Sequence, residues 1–128
     1  MKVVLDTSVL LMVKDGFDPI ELLTQEYAGD LEFIVPRAVL NEISSKLNSR
    51  RFAESSKARV AMEYLKLKSG KVRVVETPQG KTDDVLINLC KAEGAALFTA
   101  DMRLKERAKR EGITVVTPRG RGKTINFQ

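Results

Sequence analysis

Apolar positions along this chain follow two alternating periods. Short runs rich in aliphatic and β-branched residues, at 3–5, 33–35, 72–76, 96–100 and 113–116, have the composition of core strands. Between them lie segments with helical spacing. The apolar run 9–13 follows Asp6-Thr7-Ser8 and predicts a helix start with Thr7 or Ser8 as N-cap. Pro36 suits the first turn of a helix over 37–47, which places Val39, Leu40, Ile43 and Leu47 on one apolar face. A further helix, capped by Ser55 or Ser56, carries Val60, Ala61, Tyr64, Leu65 and Leu67 and stops at a left-handed Gly70. Thr82 is the expected cap of a helix over 83–93 that ends at Gly94, and Asp101 begins a helix that runs to Gly112. Strands separated by helices, with no hairpin signal between them, predict an α/β fold with a parallel sheet covered on both faces and joined by right-handed crossovers. Residues 124–127 add an edge strand.

Composition narrows the chemistry more than it narrows the fold. At 128 residues, with 43% hydrophobic and 30% charged, the chain is expected to be one soluble domain over 1–128, ending in a basic segment at 119–128. The absence of histidine excludes a Ser-His-Asp triad, paired-histidine RNA cleavage and a His-ligated zinc. Cys90 is the only cysteine, so no disulfide or thiolate zinc site forms within one chain; in the run V-L-I-N-L-C it reads as a small buried hydrophobe. The apolar run 9–13 falls far short of the ~20 residues that span a bilayer, and no signal-peptide core follows Met1-Lys2. The expectation is a cytoplasmic protein with no membrane contact.

Charge is unevenly placed. Residues 101–128 hold eight bases and three acids, so the whole excess of +5 resides in the C-terminal fifth. Such asymmetry suits a polyanion such as nucleic acid, although a solvated basic tail has the same signature.

The acids carry the sharper signal. In an open parallel sheet, functional groups collect where strands end and the next helices begin. Asp6 follows the strand at 3–5, Asp101 follows the strand at 96–100, Asp83 and Asp84 open the helix after 72–76, and Glu42 lies in the first two turns of the helix after 33–35. Taken singly, each has an ordinary role: a helix N-cap for Asp101, first-turn acids at Asp83 and Asp84, a surface residue at Glu42. Taken together in one cleft they would repel, and either bound protons or a divalent cation would have to relieve them. Mg²⁺ or Mn²⁺ suits an all-oxygen shell and is commonly shared with substrate phosphate.

The segments V-V-L-D-T-S, V-L-N-E-I, T-D-D-V-L-I and L-F-T-A-D-M-R-L, in that order, resemble the PIN-domain nucleases, and the similarity runs from Val3 to about Val116. The resemblance implies a three-layer α/β/α sandwich around a mostly parallel sheet and a Mg²⁺- or Mn²⁺-dependent endoribonuclease acting on single-stranded RNA. Asp6, Glu42, Asp84 and Asp101 match the family's acidic positions, with Asp6, Asp84 and Asp101 as the metal-holding set. Thr7, Ser8 and Thr99 match its small hydroxyl positions. In the D-x-L-I frame Asp84 is the third acid, and Asp83 is an auxiliary or a plain first-turn residue.

The family includes VapC-type toxins that cut tRNA or rRNA, ribosomal-RNA-processing nucleases, and scaffolds that have lost acids. The implied partners are therefore RNA, an antitoxin or a ribosome-assembly protein, and a second copy of the chain. Expected products carry 5′-phosphate and 3′-hydroxyl ends. Arg103, Arg107 and Arg110 recur at i, i+4 and i+7 on the helix after Asp101 and form a cationic stripe to clamp phosphates, extended by Arg119, Arg121 and Lys123. The rival from another class is a non-catalytic RNA-binding ribosome-assembly factor of the same fold. A receiver or haloacid-dehalogenase type domain fits less well, because the first strand is followed by Asp6-Thr7-Ser8 rather than D-x-D.

Overall fold

The computed structural model describes residues 1–120 and 124–128. Six strands form one sheet in the order β3-β2-β1-β4-β5-β6. These are β1 (Lys2–Leu5), β2 (Glu32–Pro36), β3 (Val72–Val75), β4 (Ala96–Phe98), β5 (Val115–Arg119) and β6 (Thr124–Phe127). All neighbours are parallel except β5 and β6, which run antiparallel with Arg119 opposite Thr124. The parallel sheet predicted from the strand–helix alternation is present, and the C-terminal strand closes one edge of it.

Helices α1 (Thr7–Leu10), α2 (Pro19–Glu26), α3 (Arg37–Leu47), α4 (Phe52–Leu67), α5 (Thr82–Glu93) and α6 (Met102–Arg110) connect the strands, with a 3₁₀ turn at Val13–Asp15. Consecutive residues Val3, Val4 and Leu5 are fully buried, as are Leu97 and Phe98 and then Val115 and Val116. Successive strand residues point to opposite faces, so burial of both parities means that helices cover both sides of the sheet. Phe17 and Phe98 meet edge to face at 5.9 Å, tying the segment before α2 to the sheet core.

Local chemistry accounts for most boundaries. Asp18 caps α2, its Oδ1 accepting from Glu21 N at 3.1 Å, with Pro19 at the first helical position. That helix was not among the expected elements, although its Asp-Pro start signal is in the sequence. Helix α4 begins at Phe52, earlier than a Ser55 or Ser56 cap would allow. The Ser55 hydroxyl instead donates back to Phe52 O at 3.1 Å, and Ser56 is buried inside the helix. Gly70 does not take the left-handed conformation, because the helix has already ended at Lys68. Thr82 is the first residue of α5 rather than its cap, and Gly94 does close that helix at φ 64°. Asp101 is the N-cap of α6, as its position predicted.

This order has a switch point. The chain steps outward from β1 to β2 and β3, then returns to the other side of β1 with β4. The crevice between the carboxyl ends of β1 and β4, where Leu5 lies opposite Phe98, is where such sheets bind ligands. Among the described residues, no helix is long and apolar enough to cross a membrane.

Candidate metal centre at the switch point

Asp6 and Thr99 each lie one residue beyond the ends of β1 and β4, and both are buried. Asp6 Oδ2 accepts from Ser8 Oγ and from Thr99 Oγ1, each at 2.7 Å. The same two hydroxyls accept from the main chain, Ser8 Oγ from Ala100 N at 2.9 Å and Thr99 Oγ1 from Asp101 N at 3.0 Å. Each hydroxyl therefore has its proton directed at Asp6 by a backbone N–H behind it. Both bonds fall on Oδ2, and among the described residues no side chain donates to Oδ1.

Burial raises the Asp6 pKa above its ordinary value; the Thr99 and Ser8 hydroxyls oppose the rise, and the charge of Glu42 adds to it. The Thr7 hydroxyl oxygen is buried with no hydrogen-bond partner. Such an orphan costs about 1–3 kcal/mol, which a bound water or ion would remove.

The other acids approach from helix starts. Asp101 Oδ1 accepts from Arg103 N at 2.9 Å and Leu104 N at 3.2 Å, which fixes its carboxylate at the mouth of α6. Asp83 also titrates above its ordinary value, through partial desolvation first and then repulsion from Asp101 and Glu42. Asp84 is engaged elsewhere: its Oδ1 lies 2.7 Å from Arg107 Nη1. Arg107 also donates to Glu111 at 3.3 Å, and Glu111 is paired in turn with Lys91. The geometry thus gives two adjacent acids different surroundings. Asp83 is raised by Asp101 and Glu42 and lowered by Arg107, whereas Asp84 is in direct ion-pair contact with Arg107.

Among the described residues, no ion pair engages Asp6, Glu42, Asp83 or Asp101. Nor do any three acids there stand close enough to make a ready-formed metal cage. The site is an open set of carboxylates without direct ion pairs around a buried, hydroxyl-bonded Asp6, with Arg107 near enough to oppose the rise at Asp83. Its side-chain donors are all hard oxygens, a chemistry that fits Mg²⁺ or Mn²⁺.

The basic stripe divides as well. Arg103 and Arg110, with Arg107, line a groove of about 700 Å³ that also holds Asp83 and Asp101. Arg107 is already bridged to two acids, which leaves Arg103 and Arg110 as the exposed cations of that groove. Arg119 lies outside it, its Nε donating to Thr124 Oγ1 at 3.3 Å. Arg121 and Lys123 lie outside the described residues. A second groove, lined by Ser8, Met12, Lys46 and Lys57, was not singled out by sequence. Its residues come from separate elements, α1, the turn at Val13–Asp15, α3 and α4, so no short stretch of sequence marks it.

A mostly parallel sheet with this strand order defines an α/β class that binds its ligands at the switch point, here the crevice between β1 and β4. Residues 3–121 match the family model described as a PIN-like domain, and the chain belongs to that family. PIN domains are generally metal-dependent nucleases. The fold is similar to that of the PIN domain endonuclease Utp24, with TM-score 0.78 and 17% identity over 99% of this chain and 90% of that one. It is also similar to a domain of a functionally unknown protein from Methanocaldococcus jannaschii, with TM-score 0.69 and 20% identity over 93% and 91%. A PilT N-terminus domain protein from Sulfolobus solfataricus matches at TM-score 0.54 and 16% identity over 91% and 87%. No curated protein matches the sequence.

Proposed function

We propose that this chain is a divalent-metal-dependent endoribonuclease that hydrolyses phosphodiester bonds of single-stranded RNA, such as exposed segments of tRNA or rRNA. The observation that carries the reading is the set of carboxylates without cationic partners at the switch point, beside a groove lined by Arg103 and Arg110. Acids alone would repel a phosphodiester; acids beside free arginines suit a cation and a polyanion together.

On this reading Asp6 and Asp101 hold the ion with an acid from the start of α5, and Asp83 is the acid there that lacks a basic partner. Ser8 and Thr99 fix the Asp6 carboxylate through Oδ2 and leave Oδ1 for coordination. A bound Mg²⁺ or Mn²⁺ would supply Lewis acidity at the scissile phosphate. Glu42 accepts the proton released by the attacking water, and Arg103 and Arg110 hold the flanking phosphates. The P–O3′ bond breaks, the departing 3′ oxygen takes a proton from solvent, and the products carry 5′-phosphate and 3′-hydroxyl ends.

The test is incubation of the purified chain with labelled single-stranded RNA in Mn²⁺, Mg²⁺ or EDTA. Cleavage is expected in either metal and not in EDTA, and Asp6→Asn or Asp101→Asn should abolish it while leaving the circular dichroism spectrum unchanged. RNA binding without cleavage by the wild type would instead assign a non-catalytic RNA-binding role. Full activity of either variant would remove the acids from the mechanism.

A further inference from the structure

We infer that the groove beside Ser8 is a nucleobase subsite, in which an unpaired base of a single-stranded RNA packs against Phe52 while its adjoining phosphates meet Lys14, Lys46 and Lys57. The inference rests on the nuclease reading above and deepens it, since it states where the strand goes on a surface sharing no residue with the α6 groove.

Three observations meet there. Phe52, at the first turn of α4, is 74% exposed. A lone exposed aromatic is ordinary. This one is furnished: Lys14 Nζ stands 5.8 Å from its ring centroid, and the same amine donates to the buried Ser56 Oγ at 2.7 Å. A cation anchored on a buried hydroxyl holds its charge beside a ring still open to solvent, as a stacking platform with a phosphate partner requires.

Next to Phe52, Ala53 enters a groove of about 330 Å³ with Leu11 and Met12, at the small end of ligand clefts. Lys46 and Lys57 line it too, each in a long ion pair with an acid of the same lining, Glu54 at 3.9 Å and Asp15 at 3.8 Å. With Lys14 beside Phe52, three lysines stand against the two acids of the groove, Asp15 and Glu54. An apolar floor under a net positive rim favours a base attached to phosphates over an apolar peptide segment.

The third observation is continuity. Ser8 lines the groove and donates to Asp6 Oδ2 at 2.7 Å, so an occupant of the groove sits one side chain from the buried carboxylate. A base lodged there would fix the register of the strand across the acids.

The experiment measures binding of the full chain in EDTA by fluorescence anisotropy. Its ligands are a labelled mixed-sequence single-stranded RNA and the same RNA with an abasic residue at each position in turn. Phe52→Ala is expected to weaken binding of the intact RNA about tenfold, the scale of one lost base–aromatic stack, with Phe52→Trp restoring it. An abasic residue at one position should weaken the wild type similarly and Phe52→Ala no further.

The subsite is overturned if Phe52→Ala binds like the wild type, or if its loss multiplies with every abasic loss. A change in oligomeric state with unchanged RNA affinity would overturn it as well and assign the face to a second copy of the chain. Phe52-dependent binding by a wild type that never cleaves in Mn²⁺ would sink the nuclease reading and leave the subsite standing.

Discussion

Thr99 Oγ1 donates to Asp6 Oδ2 at 2.7 Å and so joins the ends of two adjacent strands across 93 positions of sequence. The bond holds a carboxylate whose burial raises its pKa despite that hydroxyl. A raised folded-state pKa means that the protonated form fits the fold better. Stability from this group is therefore full below the ordinary carboxylate value and is lost as pH rises through the raised one. In EDTA at neutral pH, Asp6→Asn is expected to melt on the order of a few degrees above the wild type, because a neutral amide accepts the same two bonds without the buried charge. The advantage should shrink as pH falls through the raised range. A variant less stable than the wild type at every pH would show that the charged acceptor outweighs its desolvation.

Asp83 and Asp84 are neighbours with opposite surroundings, and they should separate in a metal titration. Asp83→Asn is expected to raise the Mn²⁺ concentration for half-maximal cleavage by at least about tenfold, since losing a ligand costs no less than losing an outer-shell partner. Asp84→Asn, which removes the partner of Arg107, should change it much less. Equal effects, or a larger one at Asp84, would return the metal role to the D-x-L-I frame.

The arginines of α6 should divide in the same way. Removing Arg103 and Arg110 together is expected to lower the slope of log affinity against log salt for single-stranded RNA by about 1–2. Arg107→Ala should lower it less, because Asp84 and Glu111 already share that charge. A slope unchanged in the double variant would make the stripe a solvated helix face.

Tyr64 carries a structural prediction. Its hydroxyl donates to Asp18 Oδ1 at 2.5 Å and accepts from Ile20 N at 3.1 Å, so α4 braces the capped start of α2. Burial, reinforced by Asp18, drives the phenol pKa well above its ordinary value and keeps it protonated as that donor. Tyr64→Phe should lose about 1–2 kcal/mol, read as a lower urea midpoint with unchanged slope. An unchanged midpoint would mean that water replaces the hydroxyl.

Much of this architecture was legible because its signals are local. The β-branched runs, Gly94 as a left-handed stop and Asp101 as an N-cap each depend on a few consecutive residues; the two helix signals are found where the sequence put them, while the last core strand runs over Val115–Arg119 rather than 113–116 and β4 ends at Phe98. Helix α2 escaped because it is only eight residues long, room for little more than two turns of periodicity, even though Asp18-Pro19 marks its start. The start of α4 escaped because a serine hydroxyl can cap a helix or bond back within it, and spacing alone does not distinguish the two.

The chain's own order of residues thus determined which elements form and that an acid follows the end of each of several strands, since periodicity and capping act over one or two turns. Tertiary structure decided that β1 and β4 are neighbours, that Arg107 takes Asp84 while Asp83 stays unpaired, and that Phe52 stands beside a groove reaching Ser8. Those outcomes depend on which distant elements pack together. The partner of a charge, and the cost of burying it, are set by neighbours in space that no short window of sequence contains.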